Sequence, residues 1–197
     1  MHQRKKHQHI FLVDISKSMK IIHDESVFQL LFKNLCEAIN NHPYRNERIE
    51  ISVITFSEVL NIIVNKKTAK EIISIPNFTC NGKSNISNAV KDMKSFFETQ
   101  RNESIYKPTL TIFSGIIPDS LTEDQIIYLR DEFAVGIGIE DCVYDIKNPK
   151  RNWRFGPIVI TANNESIIEK YKKISDKIFD YQNLNNFTKE YMLMANE

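Results

Sequence analysis

The chain has 197 residues, of which 42% are hydrophobic and 26% charged, and its formal net charge is +1. This length suits one domain with a substantial core, the composition excludes a disordered chain, and no apolar run approaches the roughly 18 residues that span a bilayer. The near-zero charge removes any global attraction to nucleic acid or to a membrane surface, so a partner must be recognised at a local site.

Cys36, Cys80 and Cys142 are far apart and lack Cys-x-x-Cys spacing, which argues against a disulfide framework or zinc ribbon and for reduced thiols in a cytoplasm. Residues 1–8, including His2, Arg4, Lys5, Lys6 and His7, read as a flexible basic tail, with residues 9–197 as a single domain. No apolar secretory segment precedes the first strand, so the expected location is cytoplasmic.

The apolar run at 10–13 predicts a buried central strand that stops at Asp14. Asp14, Ser16 and Ser18 then alternate, so a loop leaving the strand end can turn three oxygens toward one point. Oxygen ligands without imidazole or thiolate favour a hard ion such as Mg²⁺. The plainer reading is a strand-to-helix loop in which these residues cap or bond the backbone. Val27, Leu30, Leu31, Leu35, Ala38 and Ile39 form a helical stripe that should end near His42-Pro43.

Residues 48–57 and 59–64 read as two strands joined too tightly for a crossover, hence an antiparallel pair at a sheet edge. A short helix is expected over 68–73. A polar loop then leads to a helical stripe of Ile86, Ala89, Val90, Met93, Phe96 and Phe97, with Ser84 as its expected N-cap. A third apolar strand over 109–113 stops at Ser114-Gly115, and Thr122 to Gln125 has the form of a capping box.

A further buried strand is expected over 133–139, followed by an insertion around 143–164 in which 158–160 reads as an extra hairpin arm. Lys147, Lys150, Arg151 and Arg154 surround Trp153 and Phe155 there. A solvated loop anchored by Trp153 accounts for them more simply than nucleic-acid stacking does. A helix over 167–174, a strand over 177–181 and a helix over 185–194 complete the chain. Alternating strands and helices imply an α/β fold with a mainly parallel sheet.

Ligands in such sheets gather at the carboxyl ends of the strands. Three polar loops are placed that way: Asp14-x-Ser16-x-Ser18, Gly82-Lys83-Ser84, and Ser114-Gly115. Asp14-Ile-Ser16-Lys-Ser18-Met19 resembles the Asp-x-Ser-x-Ser-Met motif of the von Willebrand factor A (vWA) domain, which opens that family's metal-ion-dependent adhesion site (MIDAS). Gly82-Lys83-Ser84-Asn85-Ile86-Ser87-Asn88-Ala89 resembles the second motif, with Ser84 at the Thr position. The third motif departs from the family, since Ser114 stands where an Asp is usual; Asp119, four residues beyond Gly115, is the candidate acid to fold back in its place.

The resemblance implies a three-layer doubly wound, Rossmann-like vWA fold with one antiparallel edge strand and helices on both faces. It also implies a metal set of Asp14, Ser16, Ser18 and Ser84, with Ser114 and Asp119 as further candidates. The ion would be Mg²⁺, with Mn²⁺ or Ca²⁺ as alternatives, and a partner protein would complete it with an Asp or Glu. The last third of the chain is similar to cytosolic bacterial tellurium-resistance-type members, which suggests a kinase or phosphatase system as the partner's setting.

The expected function is therefore a non-enzymatic protein-protein interaction module. A degenerate metal-free scaffold is the alternative, because Ser114 removes a charge. A metal-dependent phosphotransferase would need Asp-x-Asp, and the second position here is Ser16.

Overall fold

The run of apolar residues after the basic tail forms a strand, β1 (His7–Asp14), and the rest of the chain is wound around it. A computed structural model describes residues 7–43, 46–100, 108–115, 118, 120–135 and 154–194. After β1 come α1 (Lys20–Asp24), α2 (Val27–Asn40), β2 (Ile49–Phe56), β3 (Leu60–Lys67), α3 (Ile86–Gln100), β4 (Thr109–Phe113) and α4 (Glu123–Glu132). A short arm of β5 (Ala134–Val135) and β6 (Arg154–Phe155) precedes β7 (Ile158–Thr161), α5 (Glu165–Tyr171), β8 (Lys177–Asp180) and α6 (Leu184–Met194).

Six strands form one sheet in the order β3-β2-β1-β4-β7-β8. All neighbours are parallel except β2 and β3, the expected antiparallel edge pair. The chain leaves β1 toward β2 and later returns to its other side with β4, so the strand order reverses between β1 and β4, the switch point at whose carboxyl ends ligands gather in such sheets.

Successive residues of β1 face opposite sides, and both sides are covered. Phe11 and Val13 pack with Phe28, Leu31 and Leu35 of α2 and Phe187 and Tyr191 of α6. Ile10 and Leu12 pack on the opposite face with Ile86, Val90 and Met93 of α3, Leu129 of α4 and Tyr171 of α5. The result is the three-layer doubly wound arrangement. Among the described residues no helix is long and apolar enough to cross a membrane.

Three expectations are corrected. Residues 158–161 are not an arm of an insertion: β7 is a fully buried strand of the main sheet, beside β4. Its alternate residues face opposite cores, Ile158 and Ile160 one way and Val159 the other, which only a strand covered on both sides permits. Of the strand expected over 133–139, the described residues show Ala134–Val135, which pairs antiparallel with Arg154–Phe155 outside the main sheet; residues 136–139, with Gly136 and Gly138, lie outside the described residues. The arm returns through Gly156, at φ +91°, where an added Cβ would stand 2.4 Å from the Ile174 carbonyl oxygen. Residues 143–153, Trp153 included, also lie outside the described residues.

The third correction is at the amino end. Residues 1–6 are outside the described residues, but His7 and Gln8, placed in the tail by their polarity, already belong to β1. His7 is buried and its Nε2 lies 2.9 Å from Thr109 Oγ1 across the sheet. His9 is fully enclosed, stacked between Phe11 and Tyr191, with Nδ1 2.6 Å from Tyr191 Oη and Nε2 2.8 Å from Thr111 Oγ1.

Burial, and secondarily the charge of His7, holds the pKa of His9 well below its usual 6.5; burial also lowers that of His23. A histidine whose folded pKa is depressed contributes stability that is present above the unfolded pKa and lost as pH falls toward the folded one. The midpoint of urea unfolding should therefore fall as pH drops from about 7.5 to about 5, below the ordinary histidine pKa. In His9→Gln the acid dependence should shrink. An unchanged acid slope in that variant would place the proton uptake elsewhere.

Candidate metal-ion site

Asp14 is the last residue of β1 and is fully buried. Its backbone is held twice: the Ile15 N–H donates to the Phe56 carbonyl at 2.8 Å, and His23 Nε2 donates to the Asp14 carbonyl at 2.7 Å. A carbonyl only accepts, so the neutral His23 carries its proton on Nε2. His23 Nδ1 is buried without a hydrogen-bond partner.

The Asp14 carboxylate gathers all three loops. Oδ1 accepts from Ser16 N at 2.8 Å, the turn that short Asp side chains favour after a strand. Oδ2 accepts from Ser84 Oγ at 3.0 Å and from Ser114 Oγ at 2.8 Å. Ser16 Oγ and Ser18 Oγ lie 2.9 Å apart, and Ser18 is exposed. Five of the expected ligands therefore form one connected group, three of them directly on Asp14. Asp119 lies outside the described residues.

Backbone pairing fixes the loops relative to one another. Asn81 N donates to Ile15 O at 3.0 Å, Lys17 N to Gly82 O at 3.1 Å, and Asn85 N to Ser57 O at 3.0 Å. Gly82 sits at φ +69°, where a side chain is strained, with the Glu58 side chain 3.2 Å from the place of its Cβ. On the third loop, Ser114 N donates to Ile160 O at 3.1 Å and Gly115 N approaches Met19 Sδ at 3.1 Å. The buried Met19 thus sits under the loop that carries Ser114.

The N-cap of α3 differs from the expectation. Asn85, not Ser84, does the capping: Asn88 N donates to Asn85 Oδ1 at 3.0 Å and Ala89 N to Asn85 O at 3.0 Å. The Ser84 hydroxyl donates instead to the Asp14 carboxylate across the sheet.

Whether a cation fits is decided by oxygen spacing. Neighbouring corners of an octahedron with metal bonds of about 2.1 Å lie about 3 Å apart. The pairs Asp14–Ser84, Asp14–Ser114 and Ser16–Ser18 are separated by 3.0, 2.8 and 2.9 Å. These separations, which are also those of ordinary O–H···O hydrogen bonds, are compatible with neighbouring ligands of a small hard ion. An oxygen-only donor set of one carboxylate and hydroxyls is of the kind Mg²⁺ takes. Its charge is low. Among the described residues no three His, Cys, Asp or Glu side chains gather as a metal cluster.

His23 was not legible as part of the site, since one histidine nine residues after Asp14 carries no motif. Cys36 and Cys80 are free thiols, and burial pushes Cys36 up to about 12, too high to act as a thiolate near neutrality.

No family model and no curated protein sequence matches the chain. Solved structures do. Proximal thread matrix protein 1 from the mussel byssus aligns with a TM-score of 0.63 at 12% identity, over 98% of this chain and 47% of its own. The same mussel protein, in a structure with a zinc-occupied MIDAS motif, aligns with a TM-score of 0.60 at 13% identity, over 98% and 47%. The VWA domain of SpRpn10 aligns with a TM-score of 0.55 at 11% identity, over 92% and 95%. The chain thus spans about half the length of the mussel protein and nearly all of the SpRpn10 domain. At these identities the likeness establishes the fold, an α/β fold of von Willebrand factor A type.

Proposed function

We propose that the chain is a non-enzymatic protein-interaction module that captures an Asp or Glu of a partner protein through a divalent cation held at Asp14, Ser16, Ser18, Ser84 and Ser114. The observation that carries this reading is the convergence of three separate loops on one buried carboxylate. A cation there would supply the positive charge that an acidic side chain seeks, left largely unneutralised by a single carboxylate. The chain's own part is to fix the oxygens: β1 and His23 hold Asp14, Gly82 shapes the second loop, and Met19 underlies the third.

Lys17 and Lys83, exposed on the first and second loops, and Lys20, exposed at the start of α1, favour an acidic approach as well. Mg²⁺ is the ion of choice, with Mn²⁺ or Ca²⁺ as substitutes. The partner's setting, on the similarity of the last third of the chain to tellurium-resistance-type proteins, is a cytoplasmic kinase or phosphatase system. The mussel relative's zinc-occupied MIDAS motif supports a divalent ion at this place in the fold. No phosphotransfer is proposed, since Ser16 cannot serve as the general acid that Asp-x-Asp chemistry needs.

Calorimetric titration with Mg²⁺ should give one site in the wild type and a severalfold weaker one in Ser84→Ala, and partner capture should disappear in EDTA. Absence of any cation binding, together with capture that ignores EDTA, would favour the metal-free scaffold. One observation keeps that second reading in view: three donors already satisfy Asp14 without an ion.

A further inference from the structure

The register of the sheet puts a second layer of oxygens beneath the candidate site. Val13 is level with Phe113 and Phe113 with Ile160, so Asp14, Ser114 and Thr161 follow side by side at the strand ends. Their predecessors Val13, Phe113 and Ile160 all face α2 and α6. Asp14, Ser114 and Thr161 therefore face the other way, toward the core that holds Leu12, Ile112, Val159 and Tyr171.

Tyr171, the last residue of α5, is fully enclosed in that core. Its hydroxyl and Thr161 Oγ1 are buried oxygens without a hydrogen-bond partner of ordinary geometry. An unpaired buried hydroxyl destabilises a fold that a phenylalanine at the same place would not, so its presence asks for a reason. Burial raises the phenol's pKa, which keeps it neutral, and a hydrogen-bonding interaction with the Ser114 side chain opposes part of that rise.

A serine hydroxyl has a single hydrogen. Ser84 and Ser114 both direct theirs to Asp14 Oδ2. With a cation on that carboxylate, hydroxyl oxygens that face the ion must turn their hydrogens away from it. Ser84 is half-buried and can turn to water, but Ser114 is fully enclosed and needs an acceptor inside the protein.

We propose that Tyr171 is a positioning residue of the cation site, its phenol oxygen accepting the Ser114 hydrogen when Asp14 and Ser114 face a divalent ion. The proposal rests on the cation reading above and adds to it a residue from a helix that contains no site motif. The phenol hydroxyl, buried without a hydrogen bond of ordinary geometry, is then better satisfied in the loaded form than in the ion-free one.

The test is Mn²⁺ titration of the full chain, by calorimetry or by the electron paramagnetic resonance signal of free Mn²⁺, beside thermal melts without metal. Tyr171→Phe should melt no lower than wild type yet bind Mn²⁺ roughly three- to tenfold more weakly, the range one hydrogen bond provides. In a Ser114→Ala background the same change should have no further effect on affinity. A merely structural tyrosine would lower the melting temperature and weaken both backgrounds alike. Equal Mn²⁺ affinity in wild type and Tyr171→Phe overturns the proposal and leaves the cation reading standing, as does sensitivity to Thr161→Val in place of Tyr171→Phe. A wild type that binds no Mn²⁺ removes the cation reading and the proposal together.

Discussion

Asp14→Ala is expected to abolish Mg²⁺ binding and also to lower folding stability by about 2–4 kcal/mol, because it orphans groups that have no route to water. Asp14 is fully buried and accepts Ser16 N, Ser84 Oγ and Ser114 Oγ. The enclosed Ser16 N–H loses its acceptor at about 1–3 kcal/mol, Ser114 loses its carboxylate acceptor and keeps only weaker neighbours, whereas Ser84 is half-buried and can turn to solvent. Release from burying a carboxylate offsets part of that loss. Asp14→Asn keeps an acceptor oxygen in the same place without the charge. It should unfold closer to wild type while binding Mg²⁺ no better than the alanine variant. Urea unfolding and Mg²⁺ calorimetry on both variants separate the two roles, and an alanine variant that keeps its Mg²⁺ site would remove Asp14 from the site altogether.

That expectation differs from the one residue spacing alone supports. In sequence Asp14 reads as a loop residue at a strand end, where truncation would leave the fold almost untouched. Its position was legible because a buried apolar run ends there and the alternation with Ser16 and Ser18 follows. Its burial was not, because the cover comes from remote segments: Ser84 lies 70 residues away and Ser114 100. His23 and Tyr171 escaped for the same reason, as each is marked by where its side chain goes and not by any motif.

The choice between Ser84 and Asn85 as helix cap is another such case. Both residue types cap well, and only the carboxylate across the sheet decides which of them is free. Most of the architecture was readable from periodicity, down to the antiparallel edge pair. The strand at 158–161 was misplaced because Gly156-Pro157 and a basic, aromatic approach look like an excursion, while the chain in fact returns there to the sheet.

Ser114→Asp, which restores the acid that the third motif usually carries, is expected to produce the largest change of all and in opposite directions with and without metal. Ser114 Oγ stands 2.8 Å from Asp14 Oδ2, and both residues are fully buried. A second carboxylate at that place repels the first by about 4 kcal/mol if the charges stay near 4 Å in a medium of effective dielectric constant about 20. The extra atoms also crowd a closed space, which costs about 1–3 kcal/mol in a packed interior.

Without a divalent ion the variant should therefore unfold at a markedly lower temperature. Acid should help it, since two carboxylates in contact share a proton: the folded pair binds a proton more readily than the unfolded chain, so its repulsion fades as pH falls. Saturating Mg²⁺ should restore most of the loss, because two carboxylates raise the charge opposing the ion, and Mg²⁺ affinity should rise about tenfold or more. Partner capture should weaken at the same time, as a better-neutralised ion attracts an acidic side chain less. Melts with Mg²⁺ or EDTA, beside calorimetry, read the whole pattern. If Ser114→Asp binds Mg²⁺ no more tightly than wild type, residue 114 does not face the ion, the third loop is a structural tie to Asp14, and the metal-free scaffold becomes the better account of the fold.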